Sequence, residues 1–198
     1  MLRIRGLTRP GLAPVDLDLA DAEATALLGP SGAGKTLLLR AIADLDPNEG
    51  DLRLDDASRD SMPGPAWRRR VTYLAAEPGW WAVRAAEHFP DPAAGRALLP
   101  SLGLPEATME RRVAELSTGE RHRLALARVL VQEPRTMLLD EPTSGLDQDT
   151  VKAVETVLRA RVEAGLALLF STHDEELAHR LARRIVRIRA GRLLEAAA

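Results

Sequence analysis

No cysteine occurs among the 198 residues, and that absence removes disulfides, thiolate catalysis and cysteine-ligated metal sites together. A reducing compartment is the simpler home for such a chain. Lysine is nearly absent as well: Lys35 and Lys152 stand alone against a background of arginine, so a lysine inside a glycine-rich loop stands out. Long apolar runs are missing. Stretches such as Gly165–Phe170 fall far below the ~20 residues that a membrane helix needs, and Met1-Leu2-Arg3-Ile4 opens without a signal-peptide core. A net charge of −2 supplies no general basic field for a phosphate backbone, so no nucleic-acid partner is expected. Together these absences predict a soluble, cytoplasmic protein. What the sequence does have is 45% hydrophobic residues, enough for a sizeable core in a single domain over residues 1–198.

Short β-rich runs at Leu2–Ile4, Val15–Leu19, Thr25–Leu28 and Leu52–Leu54 are separated by Gly, Pro and Asp, which predicts a strand-rich N-terminal part. Leu37, Leu38, Ala41, Ile42 and Leu45 recur at helical spacing and stop before Pro47, as a helix would. A strand is expected at Val71–Leu74. The region Glu77–Pro105, rich in proline and containing Trp80 and Trp81, is the least regular. Helix is expected from Leu116 through Val131, strand at Thr136–Leu139, helix around Asp149–Ala164, strand at Leu166–Phe170 and helix from Asp174, with Ala196–Ala198 as a frayed tail. The alternation predicts an α/β fold with a mainly parallel central sheet flanked by helices.

Between the strand Thr25–Leu28 and the first helix lies Gly29-Pro30-Ser31-Gly32-Ala33-Gly34-Lys35-Thr36. Glycines at these positions let backbone N–H groups turn inward around phosphate oxygens, and the following helix adds its positive N-terminus. Lys35 is expected to reach the β- and γ-phosphates of ATP, and the Thr36 hydroxyl to bind Mg²⁺. A glycine-rich turn that merely caps a helix is the bland alternative, and the full pattern with its lysine argues against it. Downstream, Thr136-Met137-Leu138-Leu139-Asp140-Glu141 is an apolar strand ending in two carboxylates. Such an end needs a compensating cation or partner, and open α/β sheets bind ligands there. Asp140 is the expected second metal ligand and Glu141 the group that polarises the attacking water.

Ahead of that acidic strand, Leu116-Ser117-Thr118-Gly119-Glu120-Arg121 opens a long helix. Ser117 and Glu120 have the spacing of a capping box. The same block is similar to the Leu-Ser-Gly-Gly-Gln/Glu signature of the ATP-binding cassette (ABC) family. Ser144-Gly145-Leu146-Asp147 resembles that family's D-loop, and His173 its switch histidine; Thr172 and Glu175 permit a further capping box that would put His173 at the first helical position. The resemblance implies a P-loop NTPase core with an N-terminal antiparallel β-subdomain and a short inserted helical lobe over about residues 77–133. It implies ATP and Mg²⁺ as ligands, Lys35, Glu141 and His173 as catalytic groups, and a head-to-tail homodimer formed on ATP binding. In that dimer Gly29 to Leu37 of one chain and Ser117, Gly119 and Glu120 of the other hold one nucleotide. It also implies a separate transmembrane permease subunit and a place on the inner face of the cell membrane.

The sequence departs from that pattern at four places. No aromatic residue in Leu7-Thr8-Arg9-Pro10-Gly11-Leu12 stands where the family stacks adenine, and Arg9 is the planar substitute. The glutamine of the family's Q-loop falls on Ala76, with Glu77 beside it. Leu37 replaces a second hydroxyl residue, and Thr118 replaces the first signature glycine. Trp80 and Trp81 are either anchors for the membrane partner or core residues. Arg68–Arg70 face lipid headgroups or, as is commoner, water. The block Trp67–Tyr73 and the short lobe are similar to compact bacterial cassettes of the metal-exporter type. A soluble non-transport cassette acting on DNA, ribosomes or cluster assembly is the competing class, and a simple P-loop kinase a third; a kinase has no use for the signature block.

Overall fold

A computed structural model describes residues 1–194; the expected tail at Ala196–Ala198 lies outside the described residues. Two sheets organise the chain. The first is antiparallel and four-stranded in the order β2-β1-β4-β5, from β1 (Leu2–Arg9), β2 (Leu12–Leu19), β4 (Glu49–Leu54) and β5 (Ala57–Ser58). The second has the order β10-β9-β3-β8-β7-β6. Its strands β3 (Ala24–Leu28), β6 (Val71–Leu74), β7 (Thr136–Asp140), β8 (Ala167–Thr172) and β9 (Arg184–Arg189) run parallel, and β10 (Arg192–Leu194) returns antiparallel along β9. This is the mixed α/β architecture that the alternation predicts.

Strands β3, β7 and β8 are buried along their whole length, because helices cover both faces of a parallel sheet and every residue meets apolar neighbours. Alternation assigns the faces. Leu27, Leu138 and Leu169 join one core with α1 (Lys35–Ile42) and the antiparallel sheet. Ala26, Leu28, Met137, Leu139, Leu168 and Phe170 join the other, with α4 (Thr118–Leu130), α5 (Gln148–Glu163) and α6 (Glu175–Leu181). The short α2 (Gly64–Arg70) inserts Trp67, fully buried, whose Nε1–H donates to Ile42 O at 3.0 Å. That bond ties the end of α1 to the chain entering β6.

The first helix is shorter than its sequence pattern predicts. It ends at Ile42, its buried face is Leu38, Leu39, Ala41 and Ile42, and Leu45 is exposed. Asp44 follows in the left-handed backbone region, which turns Leu45 off the apolar stripe. Between β6 and β7 the described chain holds α3 (Pro92–Leu98), α4 and several single 3₁₀ turns, with one isolated bridge from Arg84 to Arg112. No described helix is long and apolar enough to cross a membrane. Strands β9 and β10 have no counterpart among the sequence expectations: RIVRIR carries arginines at its exposed positions, which weakens the apolar signal of the strand.

Candidate active site

The connections that leave the carboxyl ends of β3, β6 and β7 converge on one cleft of about 350 Å³, lined by residues 30–37, Ala76, Asp140 and Glu141. This is where parallel sheets place ligands. Gly29 closes β3 against the neighbouring hairpin: a Cβ there would meet Ile188 O at 2.4 Å, so no side chain fits. Gly34 caps α1 with φ 106°, a conformation costly for any residue with a Cβ. The first turn of α1 carries no acidic residue and no side-chain cap, so its free N–H groups face the loop without a competing carboxylate.

Lys35 is nearly buried, with Nζ donating to Gly29 O at 2.7 Å and 3.7 Å from Glu141 Oε1. Thr36 Oγ1 donates to Asp140 Oδ2 at 2.7 Å across 104 residues of sequence. Asp140 is 5% exposed and accepts two more hydroxyls, Tyr73 at 3.1 Å on Oδ2 and Ser171 at 2.7 Å on Oδ1. Burial pushes the Tyr73 phenol well above its ordinary value, and the adjacent Asp140 carboxylate pushes it further. Glu141 adopts φ 49°; its N–H donates to Ser171 Oγ at 3.0 Å and its Oε2 lies 2.9 Å from His173 Nδ1. Thus Lys35, Thr36, Asp140 and Glu141, all singled out by sequence, line one cleft, and His173 joins them through its contact with Glu141.

Two hard oxygens, Thr36 Oγ1 and Asp140 Oδ2, at the mouth of a phosphate-sized loop fit a small divalent cation that takes its other ligands from phosphate and water. Among the described residues no group of three His, Cys, Asp or Glu side chains gathers as an all-protein cage.

Ser117, Gly119 and Glu120 are not part of this cleft. Both arms of the expected capping box form: Ser117 Oγ accepts from Glu120 N at 3.2 Å, and Glu120 Oε2 accepts from Ser117 N at 2.7 Å. The other oxygen of Glu120 takes Arg111 at 2.7 Å. The Ser117 N–H, aided by Arg111, holds the Glu120 carboxyl below its usual range. Both oxygens being engaged, Glu120 serves its own helix. Ser117 is exposed. A Cβ on Gly119 would meet Leu146 Cδ2 at 3.2 Å, so the signature block and the segment Ser144–Asp147 lie side by side. Asp147 caps α5 by accepting from Asp149 N and Thr150 N.

One sequence expectation needs correction. His173 is not the first residue of α6: Asp174 is the N-cap, accepting from Leu177 N, while Thr172 Oγ1 accepts only from Asp174 N. A closer cap, an aspartate with a free carboxylate, displaces the one predicted, and His173 stays in the turn before the helix. Arg9 is ion-paired through its N–H edge with Asp46, which Arg40 also grips. The two tryptophans have different fates. Trp80 is half-buried against the larger core, whereas Trp81 is 72% exposed. Arg128 lies over both rings, at 4.9 and 4.8 Å from their centres, and burial lowers its pKa.

Tyr73 and Ser171 were not legible as site residues. Each lies in a strand that the sequence does predict, or at its edge, but their partners are 67 and 31 residues away, and nothing local marks the hydroxyls.

Comparison with known proteins agrees with this geometry. The sequence model of the family described as "ABC transporter" matches residues 12–144. A Fe(3+) ions import ATP-binding protein of Streptomyces avermitilis is 38% identical over 200 residues, covering 94% of this chain and 58% of that protein. A spermidine/putrescine import ATP-binding protein of Pseudomonas fluorescens is 36% identical, with 94% and 56% covered. This chain therefore spans little more than half the length of those two relatives. A cobalt import ATP-binding protein of Rhodobacter capsulatus is 38% identical, with 90% and 70% covered. Among solved structures, a dimeric post-hydrolysis state of an ATP-binding cassette bound to ADP and Pi superposes with a TM-score of 0.83 at 24% identity, covering both chains fully. An ATP-binding subunit of an ABC transporter gives 0.86 at 24% identity, covering 98% of this chain and 88% of that one. Those likenesses establish the fold, and the family match with the cobalt-import relative establishes the kinship: this chain belongs to the ABC transporter family.

Proposed function

We propose that this chain binds ATP with Mg²⁺ and hydrolyses it, in head-to-tail pairs, as the nucleotide-binding subunit of a transporter whose membrane-spanning permease is a separate chain. The observation that carries the reading is the Thr36–Asp140 bond of 2.7 Å at the mouth of the glycine loop, which brings the two oxygens expected to hold Mg²⁺ to one point. The bound ion would neutralise phosphate charge and fix the β- and γ-phosphates. The loop from Gly29 to Leu37 wraps the phosphates with N–H groups, and Lys35 exchanges its bond to Gly29 O for phosphate oxygens. Glu141 accepts a proton from the attacking water. His173, bonded to the same carboxylate, fixes its direction at the γ-phosphate end.

Ser117, exposed, and Gly119, partly exposed, stand at the start of α4 apart from the loop of their own chain and are suited to the phosphate of a nucleotide held by a partner copy. The permease would meet the outward-facing Trp81 and Val83, which are 72% and 58% exposed, and the protein would sit on the inner face of the membrane. The import relatives support the transport reading over the soluble cassettes and over a kinase.

The test is phosphate release by the full chain with ATP and Mg²⁺. Glu141→Gln should keep nucleotide binding and lower turnover by about 10²–10⁴-fold, the usual contribution of a general base. A wild-type chain that releases no phosphate, alone or with its permease, contradicts the reading; unchanged turnover in Glu141→Gln removes Glu141 from the role of base.

A further inference from the structure

One group at the centre of the site has no task in the reaction as described. Ser171, at the end of β8, is fully buried, and its hydroxyl oxygen lies 2.7 Å from Asp140 Oδ1 and 3.0 Å from Glu141 N. The direction of both bonds is fixed by chemistry. An amide N–H can only donate, so Ser171 Oγ accepts from Glu141 and keeps its single proton for the Asp140 carboxylate.

The residue it holds is strained. Glu141 has a backbone φ of 49°, a region disfavoured for residues with a Cβ and kept only where the surroundings impose it. Its carbonyl is used inside the following turn, accepting from Ser144 N at 3.1 Å. Its N–H is held from outside that turn, by Ser171 on the neighbouring strand. From this backbone the Glu141 carboxylate reaches His173 and faces Lys35.

We propose that Ser171 is a positioning residue for ATP hydrolysis: one hydroxyl fastens the metal-binding carboxylate of Asp140 and the backbone of the base Glu141 to each other. The catalytic part of this claim rests on the ATPase reading above; the structural part does not. Without the hydroxyl, Glu141 N–H and Asp140 Oδ1 lose the partner that the buried Ser171 supplies, and the backbone of Glu141 is released toward an ordinary conformation. The carboxylate then leaves the line set by His173. The loop from Gly29 to Thr36 makes no hydrogen bond to Ser171, so its grip on phosphate should survive.

The experiment uses the full chain as Ser171→Ala and, should that variant fold poorly, as Ser171→Cys, which keeps the volume but weakens both bonds. Turnover of MgATP is measured against concentration, and exchange of the Glu141 amide hydrogen is followed by NMR beside that of Phe170. The expected result is kcat lower by at least ten-fold with KM within two-fold of wild type, and Glu141 exchange faster by at least ten-fold while Phe170 is unchanged. Wild-type kcat in a folded variant overturns the proposal, as does a KM defect with intact kcat or faster exchange along the whole of β8. If the wild-type chain proves to hydrolyse no ATP, the ATPase reading fails separately. The Glu141 amide still decides the strut, and unchanged exchange there would sink it.

Discussion

The glycine-loop end and the signature end of this chain differ in how much of their bonding is settled within one molecule. At the loop end the functional groups already hold one another: Thr36, Tyr73 and Ser171 all donate to Asp140, and Glu141 is bonded through both its backbone and its side chain. At the signature end the bonds that exist serve the helix itself. Ser117 and Glu120 cap α4, Arg111 pairs with Glu120, and Gly119 rests against Leu146. The first region is preorganised for chemistry; the second is preorganised as a surface. In the pair proposed above, a second copy would bring the half that each chain lacks.

The comparison breaks most readily at Lys35. Lys35→Ala should weaken nucleotide binding by about 10–100-fold, the range expected for charge-assisted bonds to phosphate, while leaving the capping of α4 and the melting temperature near wild type. Titration with a fluorescent ATP analogue checks it. Unchanged affinity would mean that the loop end is not the phosphate site. A smaller effect should come from the support behind the loop. Trp67→Phe removes the buried bond to Ile42 O and leaves that carbonyl unpartnered, a loss of about 1–3 kcal/mol in urea unfolding. A loss confined to the signature end would contradict the packing described here.

The smallest effect lies behind the glycine-loop end, at Asp46, which pairs with Arg9 and with Arg40 of α1. Arg40 and then Arg9 hold its carboxyl well below the usual value of 3.8, against the opposing effect of burial. A folded-state pKa below the unfolded one means stabilisation that is present above about pH 4 and lost as the pH falls through the folded value. Asp46→Asn should therefore lower stability by about 1–2 kcal/mol at pH 7, with the gap to wild type closing as the pH drops below 4. Thermal melts across that range measure it, and a gap independent of pH would show that the ion pairs do not account for the loss.

Much of this was legible in the sequence because the signals are local. The apolar runs of β3, β7 and β8 are continuous, the glycine loop has a steric meaning at Gly29 and Gly34, and Ser117 with Glu120 spells its cap in four residues. What was not legible depends on distance or competition. Ser171 and Tyr73 acquire their roles from a carboxylate on another strand. Arg9 is taken by Asp46, 37 residues on. At α6 two candidate caps, Thr172 and Asp174, stand two residues apart, and the aspartate prevails; only the geometry decides where His173 then sits.

The claim that one nucleotide site is shared by two chains is tested most directly by mixing two defective proteins. Lys35→Ala spoils the loop end and Gly119→Asp sets a negative charge at the signature end, where the first helical turn accepts an aspartate. Each alone should release little phosphate from ATP. Mixed in equal amounts, half the pairs should be mixed pairs with one intact site, so about a quarter of wild-type turnover should return. A mixture as inactive as its components, or a Gly119→Asp protein as active as wild type, would contradict the account.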